Sequence, residues 1–168
     1  PSSLANLFRM GPALLLAAVL GIPLRAGGAY DDTAWAIAVR EPQSSTSPAA
    51  LVAGSFRSNA IFGGQTLSSG GDSSDAAFVA GLNLDPLSFA WAAQTTMSPQ
   101  TGFELYQPYS ISYAIATVSG SDDAFIAGQF VGQANFAGAP PIQLLTVATP
   151  GGAFPPDGFV AKMTTSGQ

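Results

Sequence analysis

The sequence predicts an all-β fold made of repeated antiparallel four-stranded sheets, with about two units and a partial third. Three observations favour this fold. Glycine (19 residues) and proline (13) are abundant among the 168 residues and only 9% are charged, which is typical of short strands joined by many turns. Runs rich in Phe, Val, Ile and Ala recur without a sustained helical period. Finally, residues 50–64 recur as residues 124–138, with seven identities in fifteen positions.

The repeat extends to both sides of these segments at changing offsets. Residues 34–39, "AWAIAV", match 112–117, "SYAIAT", 78 positions later. Residues 78–82, "FVAGL", match 159–163, "FVAKM", 81 positions later. The length differences fall in loops rich in Pro, Ser and Gly, where insertions are tolerated. This pattern is typical of a duplicated β unit.

The first element, residues 1–26, is interpreted as a partial repeat. Its apolar run, residues 11–24, resembles the hydrophobic part of a signal peptide, but it is too short and too interrupted by Gly and Pro to span a bilayer. Residues 4–19 also align without gaps on residues 79–94. That alignment favours a buried strand over a leader.

Two longer units follow in the prediction, residues 27–98 and residues 99–168, and the second lacks its last strand. The first unit is expected to form strands at "AWAIAV", "ALVAGSF", "GQTLSS" and "AAFVAGLN", followed by "SFAWAAQ". The second unit ends before the equivalent of that last strand. Several of these runs are apolar at nearly every position, which favours sheets covered on both faces.

The order of these motifs resembles the bacterial seven-bladed β-propeller repeat family. The resemblance rests on "GGAYDDTAWAIAV", "ALVAGSFRSNAIFGGQTLSS", "SDAAFVAGLN", "FAWAAQ" and, in the second unit, "DGFVAKMTTSG". It implies propeller-type sheets and no particular activity, because the recurring residues are strand core and turn glycines. The chain departs from the family in its Pro-rich turn "REPQSSTSP" and in having about two units, where a closed propeller has four or more.

The unmatched ends predict an open-ended molecule. Because bare strand edges pair with other chains, the N-terminal strand of one copy is expected to complete the last sheet of the next, giving a head-to-tail ring or filament. The expected donor residues are Leu14, Leu15, Leu16, Val19 and Leu20. The expected acceptor residues are Phe159, Val160 and Met163. The alternatives are intramolecular closure and a fragment of a longer propeller.

The composition argues against several function classes. The net charge of −5 and the lack of a basic patch argue against counterion-driven nucleic-acid binding. The absence of Cys and His removes thiol nucleophiles, His bases and the usual zinc ligands, so no enzyme and no cofactor are predicted. The low charge favours self-association, and the predicted role is a structural subunit of an extracellular or cell-surface assembly.

Candidate ligand sites are few. Asp72 and Asp75, in "GGDSSD", are weak Ca²⁺ candidates, and the pairs at 31–32 and 122–123 are interpreted as turn residues. Tyr106 and Tyr109 are candidates for contact with a carbohydrate or protein partner, which is the alternative function. Ser/Thr-Pro clusters are candidate O-glycan acceptors.

Overall fold

The computed structural model describes residues 24–41, 47–98, 107–136, 142–146 and 155–164. Within these ranges the chain is all-β, as predicted, with no helix and with twelve strands in three antiparallel sheets, none of which closes into a barrel. The strands are β1 (Ala26–Gly28), β2 (Asp32–Val39), β3 (Ala50–Arg57), β4 (Asn59–Phe62), β5 (Gln65–Ser68), β6 (Asp75–Leu84), β7 (Leu87–Ser98), β8 (Tyr109–Thr117), β9 (Asp123–Val131), β10 (Gln133–Phe136), β11 (Ile142–Leu145) and β12 (Asp157–Thr164).

The large sheet has the strand order β11-β10-β7-β6-β3-β2. Its strands β2, β3, β6 and β7 come from the first predicted unit, residues 27–98. The sheet nevertheless has six strands and not the expected four, because Gln133–Phe136 of the second unit pairs with Thr95–Ser98 at the edge of β7. The free backbone groups of that edge are thereby satisfied.

The small sheet has the order β1-β4-β5 and corrects a second prediction. The segment "GQTLSS" was expected to be a strand of the main sheet, but it pairs with β4 in a separate hairpin. Ser58, the residue after β3, has a φ of 63°, and Gly63, in the turn between β4 and β5, has a φ of 62°. A two-residue Gly-Gly turn is a typical hairpin connection, so the sequence did carry this signal.

The terminal sheet has the order β12-β9-β8. Strand β8 lies against β2, β3 and β6 of the large sheet. The hairpin β10–β11 connects β9 to β12, as β4–β5 connects β3 to β6. In each case the first hairpin strand belongs to a different sheet from the strand before it. Strand β4 leaves the large sheet of β3 for the small sheet, and β10 leaves the terminal sheet of β9 for the large sheet.

Two apolar clusters hold the sheets together. The first lies between the large and small sheets, where the rings of Phe62 and Phe78 are 4.7 Å apart and those of Phe62 and Phe89 are 5.4 Å apart. The second lies between the large and terminal sheets, where Ala53 and Val79 pack on the cluster around Phe159. Each fully buried Phe or Val side chain contributes roughly 1.5–3 kcal/mol through removal of its surface from water.

Candidate functional site

Strand β12 forms one edge of the terminal sheet. It pairs with β9 from Asp157 to Thr164, and no described strand pairs with its other edge. In the large sheet, β6 occupies the matching place and pairs with β3 on one side and with β7 on the other. The described part of the terminal sheet therefore lacks a counterpart of β7, at the strand where the sequence placed its acceptor residues.

The three predicted acceptor residues point to both faces of this strand. Phe159 is buried, with its ring 4.9 Å from that of Phe136, and Met163 packs against the same cluster. Val160 points to the opposite face and is 74% exposed. The donor residues Leu14, Leu15, Leu16, Val19 and Leu20 lie outside the described residues.

Two glycines occupy the same environment in the two sheets. A Cβ on Gly54 would lie 2.0 Å from the carbonyl oxygen of Thr33, and a Cβ on Gly128 would lie 2.0 Å from that of Ile111. Each glycine also pairs with the Phe of an "FVA" segment, Phe78 or Phe159. Only glycine fits where a neighbouring carbonyl approaches this closely.

The two hairpins are closed by the same kind of clip, a pair of hydrogen bonds between the two residues that flank the hairpin. The backbone N–H of Ser58 donates to the Ser69 hydroxyl at 2.9 Å, and the Ser69 N–H donates back to the Ser58 carbonyl. In the second hairpin, the Gly132 N–H donates to the Thr146 hydroxyl at 3.0 Å, and the Thr146 N–H donates back to the Gly132 carbonyl. Both hydroxyl-bearing residues are buried, so these bonds are protected from water.

The junction between the large and terminal sheets also has polar and aromatic contacts. The buried Arg40 side chain forms an ion pair with Asp122 at 2.6 Å. The rings of Trp35 and Tyr113 meet edge to face, with centroids 5.6 Å apart. These two residues sit at β-bulges 78 positions apart, one in the first strand of each sheet.

The side of the terminal sheet that faces away from the large sheet is apolar. We call this surface the outer apolar face; it is formed by Ala114, Ala116, Phe125, Ala127 and Val160. Phe125 is 41% exposed. The only charged side chain along these paired positions is Lys162, which forms an ion pair with Asp123 at 2.9 Å.

Comparisons with protein-family models, curated proteins and solved structures give no significant match. The propeller interpretation therefore stays a prediction from the sequence.

Of the two candidate ligand tyrosines, Tyr109 lies at the start of β8 and Tyr106 lies outside the described residues. Tyr109 is half-buried, and the Gln129 amide donates to its hydroxyl at 3.3 Å. Burial, followed by the nearby Tyr113 and Asp75, raises the pKa of Tyr109. Its ring contributes to the sheet surface and does not project as an isolated loop side chain.

The two Ca²⁺ candidates are engaged in different local bonds. Asp72 accepts hydrogen bonds from Ser58, at 2.6 Å, and from Tyr30, and these two bonds lower the pKa of its carboxyl group. Asp75 accepts two bonds from Arg57, at 2.8 and 3.2 Å. Among the described residues, no group of three or more acidic side chains is placed to hold a metal ion.

The two aspartate pairs also make turn and junction contacts. Asp32 accepts a hydrogen bond from the Gly28 backbone at 2.6 Å, whereas Asp123 pairs with Lys162. The bond from Lys162, followed by that from Ser121, lowers the pKa of Asp123. None of these contacts brings two carboxyl groups to a shared cleft.

A search of the described residues finds no helix with the length and hydropathy of a membrane span.

Sequence reasoning missed the junction contacts of Trp35, Tyr113 and Arg40. The aromatic pair had one signal, since both residues fall at the same repeat position, 78 residues apart. The ion pair had none, because the repeat counterpart of Arg40 is Val118, 78 positions later, and that of Asp122 is Pro48, 74 positions earlier.

Proposed function

We propose that this chain is a non-catalytic structural subunit of an extracellular or cell-surface assembly that polymerises head-to-tail by strand complementation. The observation that carries the proposal is the edge of β12, which lacks among the described strands the partner that β7 gives to β6. An unpaired edge exposes backbone donors and acceptors that another strand can satisfy.

The repeat predicts the register of the complementing strand. In the large sheet Leu82 pairs with Phe89, and Val79 pairs with Ala93. Residues 81 positions after the first members are Met163 and Val160; residues 75 positions before the second members are Leu14 and Ala18. In the assembly, Leu14 of one copy therefore lies opposite Met163 of the next, and Ala18 lies opposite Val160.

The matching geometry of the sheets supports a propeller-type repeat as the assembling unit. Gly54 and Gly128 have the same close neighbours, and both hairpins have the same two-way clip. A donor strand that resembles β7 would find in β12 an acceptor that resembles β6.

The register is tested by cross-linking, since the chain has no cysteine of its own. Ala18→Cys and Val160→Cys are made in separate full-length proteins, which are mixed and oxidised. Strand complementation predicts a covalent heterodimer on non-reducing gels, because directly opposed strand residues lie within disulfide reach. The control mixes Ala18→Cys with Leu145→Cys, whose exposed residue lies on the edge strand of the large sheet.

Negative-stain electron microscopy of a dilution series provides the second readout. The full chain is expected to form filaments or rings, and a variant lacking residues 1–24 is expected not to. Compact monomers from both proteins, together with equal cross-linking of the two cysteine mixtures, would contradict the proposal.

The alternative is a carbohydrate- or protein-binding module, favoured by the half-exposed rings of Trp35 and Tyr113. Aromatic side chains of this kind are enriched at binding surfaces. Glycan-array binding by a monomer, lost in Trp35→Ala, would support this function instead.

A further inference from the structure

We infer that the outer apolar face of the terminal sheet docks a second copy of this chain through the Ile37–Val39 region of that copy's large sheet. This inference rests on the proposed head-to-tail assembly, and it adds a face-to-face contact to the pairing of strand edges. It follows from comparing residues at the same repeat position, whose surroundings differ in the two sheets.

The first step is a contrast in burial. Val79 and Val160 are the central residues of the two "FVA" segments; Val79 is 4% exposed and Val160 is 74% exposed. Leu51 and Phe125, 74 positions apart, are 0% and 41% exposed. The same positions are thus covered in the large sheet and open in the terminal sheet.

The second step identifies what covers the buried positions. Val79 and Ala53 pack on Ile126 and Phe159 of the terminal sheet, and Ile115 joins this contact. The terminal sheet therefore uses one face to bury the large sheet, while its other face carries the same pattern of small and branched apolar residues. Contiguous exposed apolar surface of this kind is typical of protein-binding sites.

The third step identifies the occupant. The residues of the large sheet that correspond to Ile115 and Ile126 are Ile37 and Val52. Ile37 is 63% exposed and Val52 is only partly buried, although Ile115 packs in the inter-sheet core. A second copy therefore carries an open apolar patch at Ile37 and Val39, and Ile37 holds the repeat position of Ile115, which is already bound within the molecule.

The aromatic contact at the internal junction predicts one specific contact of the new interface. Trp35 meets Tyr113 inside the molecule. If the junction is repeated between copies, Tyr113 of one copy meets Trp35 of the next. Trp35 is half-exposed in the single chain and would lose exposure on association.

The internal junction also has an ion pair that the new interface lacks. Arg40 pairs with Asp122, but the corresponding residues are Val118, 78 positions after Arg40, and Pro48, 74 positions before Asp122. Association between copies is therefore expected to depend little on salt, because exposed ion pairs are what salt screens.

Face substitutions in the full-length chain test the inference. Phe125→Ser and Val160→Asp are expected to weaken self-association by at least about tenfold in sedimentation equilibrium, since a charge or hydroxyl at a desolvated contact is unfavourable. Leu145→Asp is the matched control, because Leu145 is an apolar residue on a different surface and is 48% exposed. Circular dichroism melts of each variant test whether it folds.

Phe125 separates this inference from strand complementation, because it lies on β9, with β8 and β12 on either side. Loss of association in Phe125→Ser supports the docking face. Unchanged association in Phe125→Ser, with loss in the variant lacking residues 1–24, overturns the docking face and leaves strand complementation standing. Association that persists without residues 1–24 and is lost in Phe125→Ser supports the docking face and contradicts strand complementation.

A fluorescence experiment examines the aromatic contact directly. Trp91→Phe leaves Trp35 as the single tryptophan, since the chain has two. The inference predicts that its emission shifts to the blue as concentration rises, and that Tyr113→Ala reduces the shift. Emission that stays constant while the protein associates would overturn the proposed position of the second copy.

Discussion

At the scale of single residues, two serines of β8 show what hydrogen bonding contributes to a buried hydroxyl. Both are fully buried, and the Ser110 hydroxyl shares a hydrogen bond with the Thr95 hydroxyl and also accepts the Ala77 N–H at 2.9 Å. The Ser112 hydroxyl has no hydrogen-bond partner among the residues that the structure describes. A buried polar group without a partner costs about 1–3 kcal/mol, and a satisfied one contributes about 1 kcal/mol. The repeat itself has Ala34 at the position that corresponds to Ser112.

We therefore predict opposite effects for two identical substitutions. Ser112→Ala is expected to raise the free energy of unfolding by about 1 kcal/mol, and Ser110→Ala to lower it by about 1 kcal/mol. Urea denaturation of both variants beside the parent chain measures the difference. Equal destabilisation by the two substitutions would contradict the prediction.

The glycine of β9 allows a second prediction at this scale. Gly128→Ala would place a methyl group 2.0 Å from the Ile111 carbonyl oxygen, so β8 and β9 would have to separate. We expect a loss of about 3 kcal/mol, at the upper end of overpacking effects. Gly158→Ala on β12 is the control, because its nearest neighbour would be 3.8 Å away, and it is expected to change stability by less than about 0.5 kcal/mol.

At the scale of elements, the long strands were predicted, whereas the pairing of β5 with β4 in a separate hairpin was not. Apolar runs identified β3, β6 and β9. In the large sheet, β3 and β6 alternate little because both of their faces are buried. Strand β4 was not among the predicted strands, and Ser58, with its positive φ, separates it from β3. The φ of a serine is not visible in a sequence.

The contacts around Asp72 predict how this corner of the fold responds to pH. Hydrogen bonds from Ser58 and Tyr30 hold the folded-state pKa of Asp72 below its ordinary value of 3.8. The carboxylate therefore contributes stability that is complete above the unfolded-state pKa and is lost as the pH falls through the lower folded-state pKa. We expect the melting temperature to fall below about pH 4, and to fall less steeply in Asp72→Asn.

Thermal melts between about pH 6 and about pH 2 test this prediction. Asp123, whose pKa is also lowered, is present in both proteins and cancels in the comparison. Parallel melting curves for the parent chain and Asp72→Asn would show that the bonds to Asp72 contribute nothing to the pH dependence.

At the scale of the whole molecule, identical motifs have different surroundings, which limits what the sequence can predict. "FVA" occurs at 78–80 and at 159–161, and in both places Phe faces a core and Val faces the other side. Whether that other side is buried depends on whether another sheet packs against it. The terminal sheet packs on Val79 of the large sheet, whereas no described sheet covers Val160, which is exposed. The repeat predicted β12 as an acceptor strand, which stays a prediction, whereas the outer apolar face is identified only by the stacking of the sheets.

This difference between two equal valines gives the last prediction. Val79→Ala removes two methyl groups from the contact between the large and terminal sheets, and about 2 kcal/mol of unfolding free energy is expected to be lost through reduced burial and the cavity. Val160→Ala removes the same atoms from an exposed site, so in dilute monomer its effect is expected to stay within about 0.5 kcal/mol. At concentrations where copies associate, Val160→Ala should instead weaken association, while Val79→Ala should act on folding alone. Denaturation in the dilute sample and sedimentation in the concentrated one separate the two effects, and a Val160→Ala variant that is destabilised as a monomer would mean that this face is already covered within a single chain.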